Sequence, residues 1–232
     1  MVAMTALHAL TAELHSGFLT LAFAGIFLTF LCQLAISWEK RMPALLVRWA
    51  YSLRGYTEAA GIVGAFLGVI ILVISGYTGY NAYGDANAIL DVAITRNKIM
   101  LTIFATILWG SVVVIRLAFK RKLWTSFEMS GLYTLIALTA YGLTALTGSM
   151  GAHIAQDGSF IDPILNSFGF DYTKPIEFDP TLMTIVALIG IGALIMALLQ
   201  IRLNNLWAIR PGANDCNPRT WSEPRMIEKE DK

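Results

Sequence analysis

The apolar positions of this chain fall into five long runs, near 17–37, 56–79, 97–118, 128–152 and 181–203, divided by stretches where charged residues, glycines and prolines gather. About 20 apolar residues, rising about 1.5 Å each, carry an α-helix across a hydrocarbon core of about 30 Å. Backbone amides in lipid need partners within their own segment, so runs of this length predict helices rather than strands. The expected fold is all-α, an integral membrane bundle of five transmembrane helices. Residues 1–156 form its four-helix core, 157–180 an outer amphipathic loop, 181–203 the fifth helix and 204–232 a polar tail.

Within the runs, small residues recur at helical spacing: Gly61, Gly64 and Gly68 in the second, and Gly190, Ala193 and Ala197 in the fifth. Such stripes let neighbouring helices approach closely. Glu58 and Glu128 stand at the expected starts of helices two and four, where a carboxylate complements the helix dipole. A faint internal repeat links the ends of helices two and four, Ser75-Gly76-Tyr77-Thr78-Gly79-Tyr80 and Thr147-Gly148-Ser149-Met150-Gly151-Ala152. In the loop beyond, Asp162-Pro163 reads as a helix start and Gly169 as a stop, with Phe160, Ile161, Ile164, Leu165 and Phe168 on one face. A short helix on the membrane surface would cover the end of helix four.

Composition agrees: 56% of the 232 residues are hydrophobic and only 14% charged. The net charge of +1 offers no basic surface for nucleic acid. The distribution of charge says more. Lys40, Arg41, Arg48 and Arg54 fill the first connection, Arg116, Lys120, Arg121 and Lys122 the third, and the tail holds six more cations, so that fourteen of the 17 lie on one side. By the positive-inside rule the N-terminus is outside and the C-terminus cytoplasmic. The first helix, with no cation before it, lacks the charged start of a secretory signal and is expected to be retained. The inner membrane of a prokaryote is the expected location. Cys32 and Cys216 have no metal-type spacing and are read as a packing residue and a tail thiol.

The candidate chemistry lies on the outer side, where His8, His15 and His153 all map. His8 and His15 are seven residues apart, two turns and about 10 Å along the axis, so one metal ion cannot take both directly. One histidine of helix one facing His153 of helix four is instead the way two helices clamp a haem iron. Gly148, Gly151 and Gly17 would allow close approach to a flat macrocycle, and Met150 is an alternative axial ligand. The competing readings are interfacial histidines that only hydrogen-bond, and a copper or zinc site completed by Glu13, Gln156 or Asp157.

His15 ahead of the first run, Asn97 before the third and Gly151-Ala152-His153-Ile154 closing the fourth give residues 8–156 the order of features of a known family. In this order the chain resembles the four-helix membrane family called domain of unknown function twenty-two thirty-one, and the fifth helix and tail have no counterpart there. Where that family has two closely spaced histidines followed by proline or bulky apolar residues, this chain has His8-Ala9 and His15-Ser16. The resemblance implies a haem-binding or redox-associated membrane role at His15 and His153. The leading expectation is a b-type cytochrome-like subunit carrying haem b. It would pass electrons near the outer face, to or from quinone or an outer-face carrier, within a larger respiratory complex of membrane subunits. The alternative is an accessory subunit that holds such a complex together without chemistry of its own. No ionisable residue falls at the centre of a run, which argues against ion-coupled transport. No hydrolase motif is present.

Overall fold

A computed structural model describes residues 2–83 and 92–154 continuously, 162–167, and single positions at 169, 179 and between 181 and 199. The described elements are helices: α1 (Val2–Ser37), α2 (Ala44–Tyr83), α3 (Ala93–Phe119), a 3₁₀ turn (Lys120–Trp124), α4 (Phe127–Ile154) and a short α5 (Asp162–Ser167). Four stretches, Met4–Ser37, Ala44–Ala82, Ile94–Phe119 and Phe127–Ile154, are long and apolar enough to cross a membrane. These are the first four spans expected from the hydrophobic runs, and they suit an integral membrane protein. Described positions of the fifth run pack on α3, with Gly190 against Ile107 and Leu194 against Gly110. The rest of that run, the tail and the loops 84–91 and 155–161 lie outside the described residues.

Helices α1 and α2 are longer than the runs suggest, at 36 and 40 residues. At about 1.5 Å per residue α1 is about 54 Å long, so both must project from a bilayer or tilt within it. The second begins twelve residues before the expected 56, because Pro43 starts a helix well. Its carbonyl accepts the Val47 N–H at 3.2 Å, and the missing proline donor costs nothing there. Glu58 therefore lies about four turns into α2 rather than at its start. At the opposite end of α3, Lys120 adopts φ +48°, a rare conformation for a side-chain-bearing residue, and turns the chain into the 3₁₀ segment. That turn drives Leu123 and Trp124 into the core, fully buried. Ser126 then caps α4, its hydroxyl accepting the Met129 N–H at 3.3 Å.

The four long helices pack in a ring, α1 on α2, α2 on α3, α3 on α4 and α4 back on α1. The α1–α2 seam is the closest. A Cβ on Gly25 would lie 2.7 Å from the Gly61 Cα, and one on Gly64 2.8 Å from the Ala22 nitrogen. These glycines are therefore packing residues, as the stripe predicts. Across the same seam the Thr29 hydroxyl donates to that of Thr57 at 2.9 Å. Between α1 and α4, Phe23 stacks on Tyr141 with centroids 4.6 Å apart. Between α3 and α4, buried Trp109 donates its indole N–H to the Thr144 hydroxyl at 3.0 Å. Between α2 and α3, the Arg116 guanidinium donates to the Glu58 carboxylate, which also accepts the Trp124 indole N–H at 2.9 Å.

Candidate functional site

α1 is unbroken from Val2, so His8, Thr11 and His15 stand at i, i+3 and i+7 and share one face. That face meets the end of α2 that carries Ser75-Gly76-Tyr77-Thr78-Gly79. The His8 Nδ1 lies 3.1 Å from the Ser75 carbonyl, and the Thr11 and Thr78 hydroxyls are 3.1 Å apart. Gly79 lies under the His8 ring, where a Cβ would come within 2.8 Å of the imidazole Cε1. His15 turns back on its own helix, its Nδ1 3.1 Å from the Thr11 carbonyl. Since a carbonyl only accepts, each Nδ1 carries the proton in these bonds. In the neutral imidazole the lone pair is then on Nε2.

The other two helices reach the same end of the ring. Lys98, just inside the start of α3, extends to α4, where a Cβ on Gly151 would lie 2.7 Å from its Nζ. Its charge also acts on both His8 and His15. Asn97 beside it is buried, and its side-chain oxygen has no hydrogen-bond partner among the described residues. Helices α1 and α4 run antiparallel, as Phe23 on Tyr141 and Phe30 on Phe127 require. Carried outward from these stacks, the end of α4 with His153 lies on the same side of the bundle as the end of α1 with His8 and His15. All three histidines thus belong to one end of the bundle, and all four long helices contribute to it.

The remaining candidates have distinct surroundings. Gly151 gives room to Lys98, whereas a Cβ on Gly148 or Gly17 would meet nothing within 4 Å. Met150 is buried at 5% exposure. Among the described residues no group of three or more His, Cys, Asp and Glu converges as a metal site would require. Gln156 and Asp157, and most of the apolar face expected around α5, lie outside the described residues. Gly169 has φ +74°, a conformation suited to the helix stop expected there.

Two features escape a linear reading. Lys98 looks like a cation at a helix boundary, and only the α3–α4 packing brings it beside the histidines. The Glu58–Arg116 pair joins residues 58 positions apart with no shared motif. The Ser75–Gly79 stretch is visible in the sequence as a repeat of the α4 end, and the His8 contact gives it a structural role.

No known protein family, curated protein or solved structure matches this chain.

Proposed function

We propose that the protein is a b-type cytochrome-like membrane subunit that holds haem b at the histidine end of its bundle and passes electrons near the outer face of the membrane. The observation that carries this reading is the anchoring of His8 and His15, each through Nδ1 to a backbone carbonyl. Hydrogen bonds of this kind fix the tautomer and orientation of metal-ligating histidines and raise the basicity of the other nitrogen. His153 on the neighbouring helix would supply the second imidazole that two-helix ligation needs. His15 with His153 is the proposed axial pair, with Met150 as the alternative sixth ligand and His8 as the reserve imidazole on α1. Haem would supply one-electron chemistry, while the chain would supply the ligands and the charge around them.

The experiment is a reduced-minus-oxidised absorbance spectrum of the purified protein with metal analysis. A haem b spectrum lost in His15→Ala and His153→Ala is the expected result. Stoichiometric copper or zinc without iron would move the assignment to a small metal site, and a protein with neither would leave the accessory-subunit reading. Quinone, an outer-face electron carrier and other membrane subunits are the partners this reading implies.

A further inference from the structure

At the end of the bundle away from the histidines, the α1–α2 hairpin runs on past the other helices. The ring closes there at Phe30 of α1, whose ring meets Phe127 at the start of α4, and at Glu58 of α2, which takes both Arg116 and the Trp124 indole. Beyond those points α1 continues to Ser37, and α2 begins at Ala44, about four turns ahead of Glu58. Of residues 44–56 only Val47 and Ala50 are buried. Leu45, Trp49, Leu53 and Tyr56, at i, i+4, i+8 and i+11, share one face of this stretch and are exposed, as is Trp38 in the connecting turn.

The same stretch is basic. Residues 31–57 hold four cations, Lys40, Arg41, Arg48 and Arg54, against one carboxylate, Glu39, a net charge of +3. Lys40, Arg41 and Arg48 are exposed beside the apolar stripe, and Glu39 accepts the Tyr51 hydroxyl at 3.4 Å. An exposed apolar face with a charged rim marks a surface that docks on something, and charge chooses among the occupants. A second copy joined by twofold symmetry would set the same +3 surface against itself. The tail, residues 204–232, has five Lys and Arg and five Asp and Glu, so it brings no net opposite charge. Anionic phospholipid brings a negative headgroup and acyl chains together, and Trp, Tyr, Lys and Arg bordering apolar residues suit that boundary. We propose that this hairpin end binds anionic phospholipid, with Lys40, Arg41 and Arg48 meeting the headgroup phosphates and Leu45, Trp49 and Leu53 lying against the acyl chains. The length by which α1 and α2 exceed the hydrocarbon core then lies in the headgroup layer, where its apolar face is covered.

The test titrates the full-length protein in neutral detergent with dioleoyl phosphatidylglycerol or dioleoyl phosphatidylcholine, which share their chains and differ in headgroup charge, and counts bound lipid by native mass spectrometry. Each cation at an anionic surface contributes about fivefold in affinity, so the wild type is expected to prefer phosphatidylglycerol by about tenfold or more. Arg41→Gln combined with Arg48→Gln should remove most of that preference. Lys120→Gln combined with Lys122→Gln, which takes two exposed charges from the 3₁₀ turn instead, should keep it. Leu45→Ser combined with Trp49→Ser should weaken both lipids alike, since it touches the chains and not the charge. Equal binding of the two lipids by the wild type would overturn the proposal, and so would a preference lost equally in the Lys120 and Lys122 variant, which would make it a property of the whole basic face. A native dimer, or a cross-link from Trp49→Cys to the tail, found together with equal lipid binding would give the face to that occupant and overturn it likewise.

Discussion

Glu58 on α2 and Arg116 on α3 form an ion pair inside the helix ring, 12% and 19% exposed, and Trp124 of the 3₁₀ turn donates to the same carboxylate oxygen. Tyr133 of α4 lies edge-on to Trp124 at 5.7 Å. One carboxylate therefore ties together α2, α3 and the turn that leads into α4. Breaking a buried pair by removing one partner leaves the other charge uncompensated. Glu58→Ala is expected to cost about 3 kcal/mol or more, whereas Glu58→Leu combined with Arg116→Met should recover most of it. Denaturant unfolding of the single and double variants in micelles checks this. A double variant as unstable as the single one would show that the pair does more than satisfy its own charges.

The α1–α2 seam gives a second prediction. A Cβ on Gly64 would meet the Ala22 nitrogen and the Phe18 carbonyl oxygen, both at 2.8 Å, and backbone atoms cannot swing aside as a side chain can. Gly64→Val should force the helices apart and destabilise by about 1–3 kcal/mol, the cost of overpacking. Gly142→Val, with nothing within 4 Å of its Cβ position, is the control and should stay close to the wild type. Thermal melts of both variants decide it.

How far each of these features can be read from the chain depends on whether it is periodic. The four spans and the Gly61-Gly64-Gly68 stripe repeat at helical spacing, so they are legible along the sequence and reappear in the fold. Glu58 is different. Read along the chain it precedes an apolar run and looks like a helix-start carboxylate. Its true partner depends on which face of α3 turns inward, which is a property of packing. The same holds for Lys98, whose proximity to α1 and α4 exists only once the ring closes. The histidines stand out by type and side, and the structure gathers them at one end of the bundle. The carbonyls that anchor the His8 and His15 rings, however, belong to backbone positions that no side-chain pattern reveals.

Orientation provides a third prediction. With fourteen of 17 cations in the connections and tail expected inside, a single cysteine at Lys232→Cys, in a background lacking Cys32 and Cys216, should react with a membrane-impermeant maleimide only after the cells are opened. A cysteine at Thr5→Cys should react in intact cells. Reversed labelling of the two would place the histidine end on the cytoplasmic side.

Gly79 and His8 offer the finest test of how the site is built. The His8 ring rests on Gly79 so closely that a methyl group there would lie 2.8 Å from Cε1 and 3.1 Å from Nδ1. Gly79→Ala must therefore displace the imidazole and lengthen its 3.1 Å bond to the Ser75 carbonyl. Losing one hydrogen bond of this kind costs about 1 kcal/mol, and alanine is the better helix former, so the net change in stability should be small. The spectrum separates the roles of the two α1 histidines. If His15 and His153 hold the iron, Gly79→Ala should leave the haem bands in place and shift at most the midpoint potential, through the altered charge and hydrogen bonding beside the ring. If His8 is the ligand instead, the same methyl group should alter the haem bands themselves, and His15→Ala should then retain its haem. The two substitutions read together would assign the α1 ligand of the proposed haem, because one moves an imidazole without deleting it and the other deletes its neighbour two turns away.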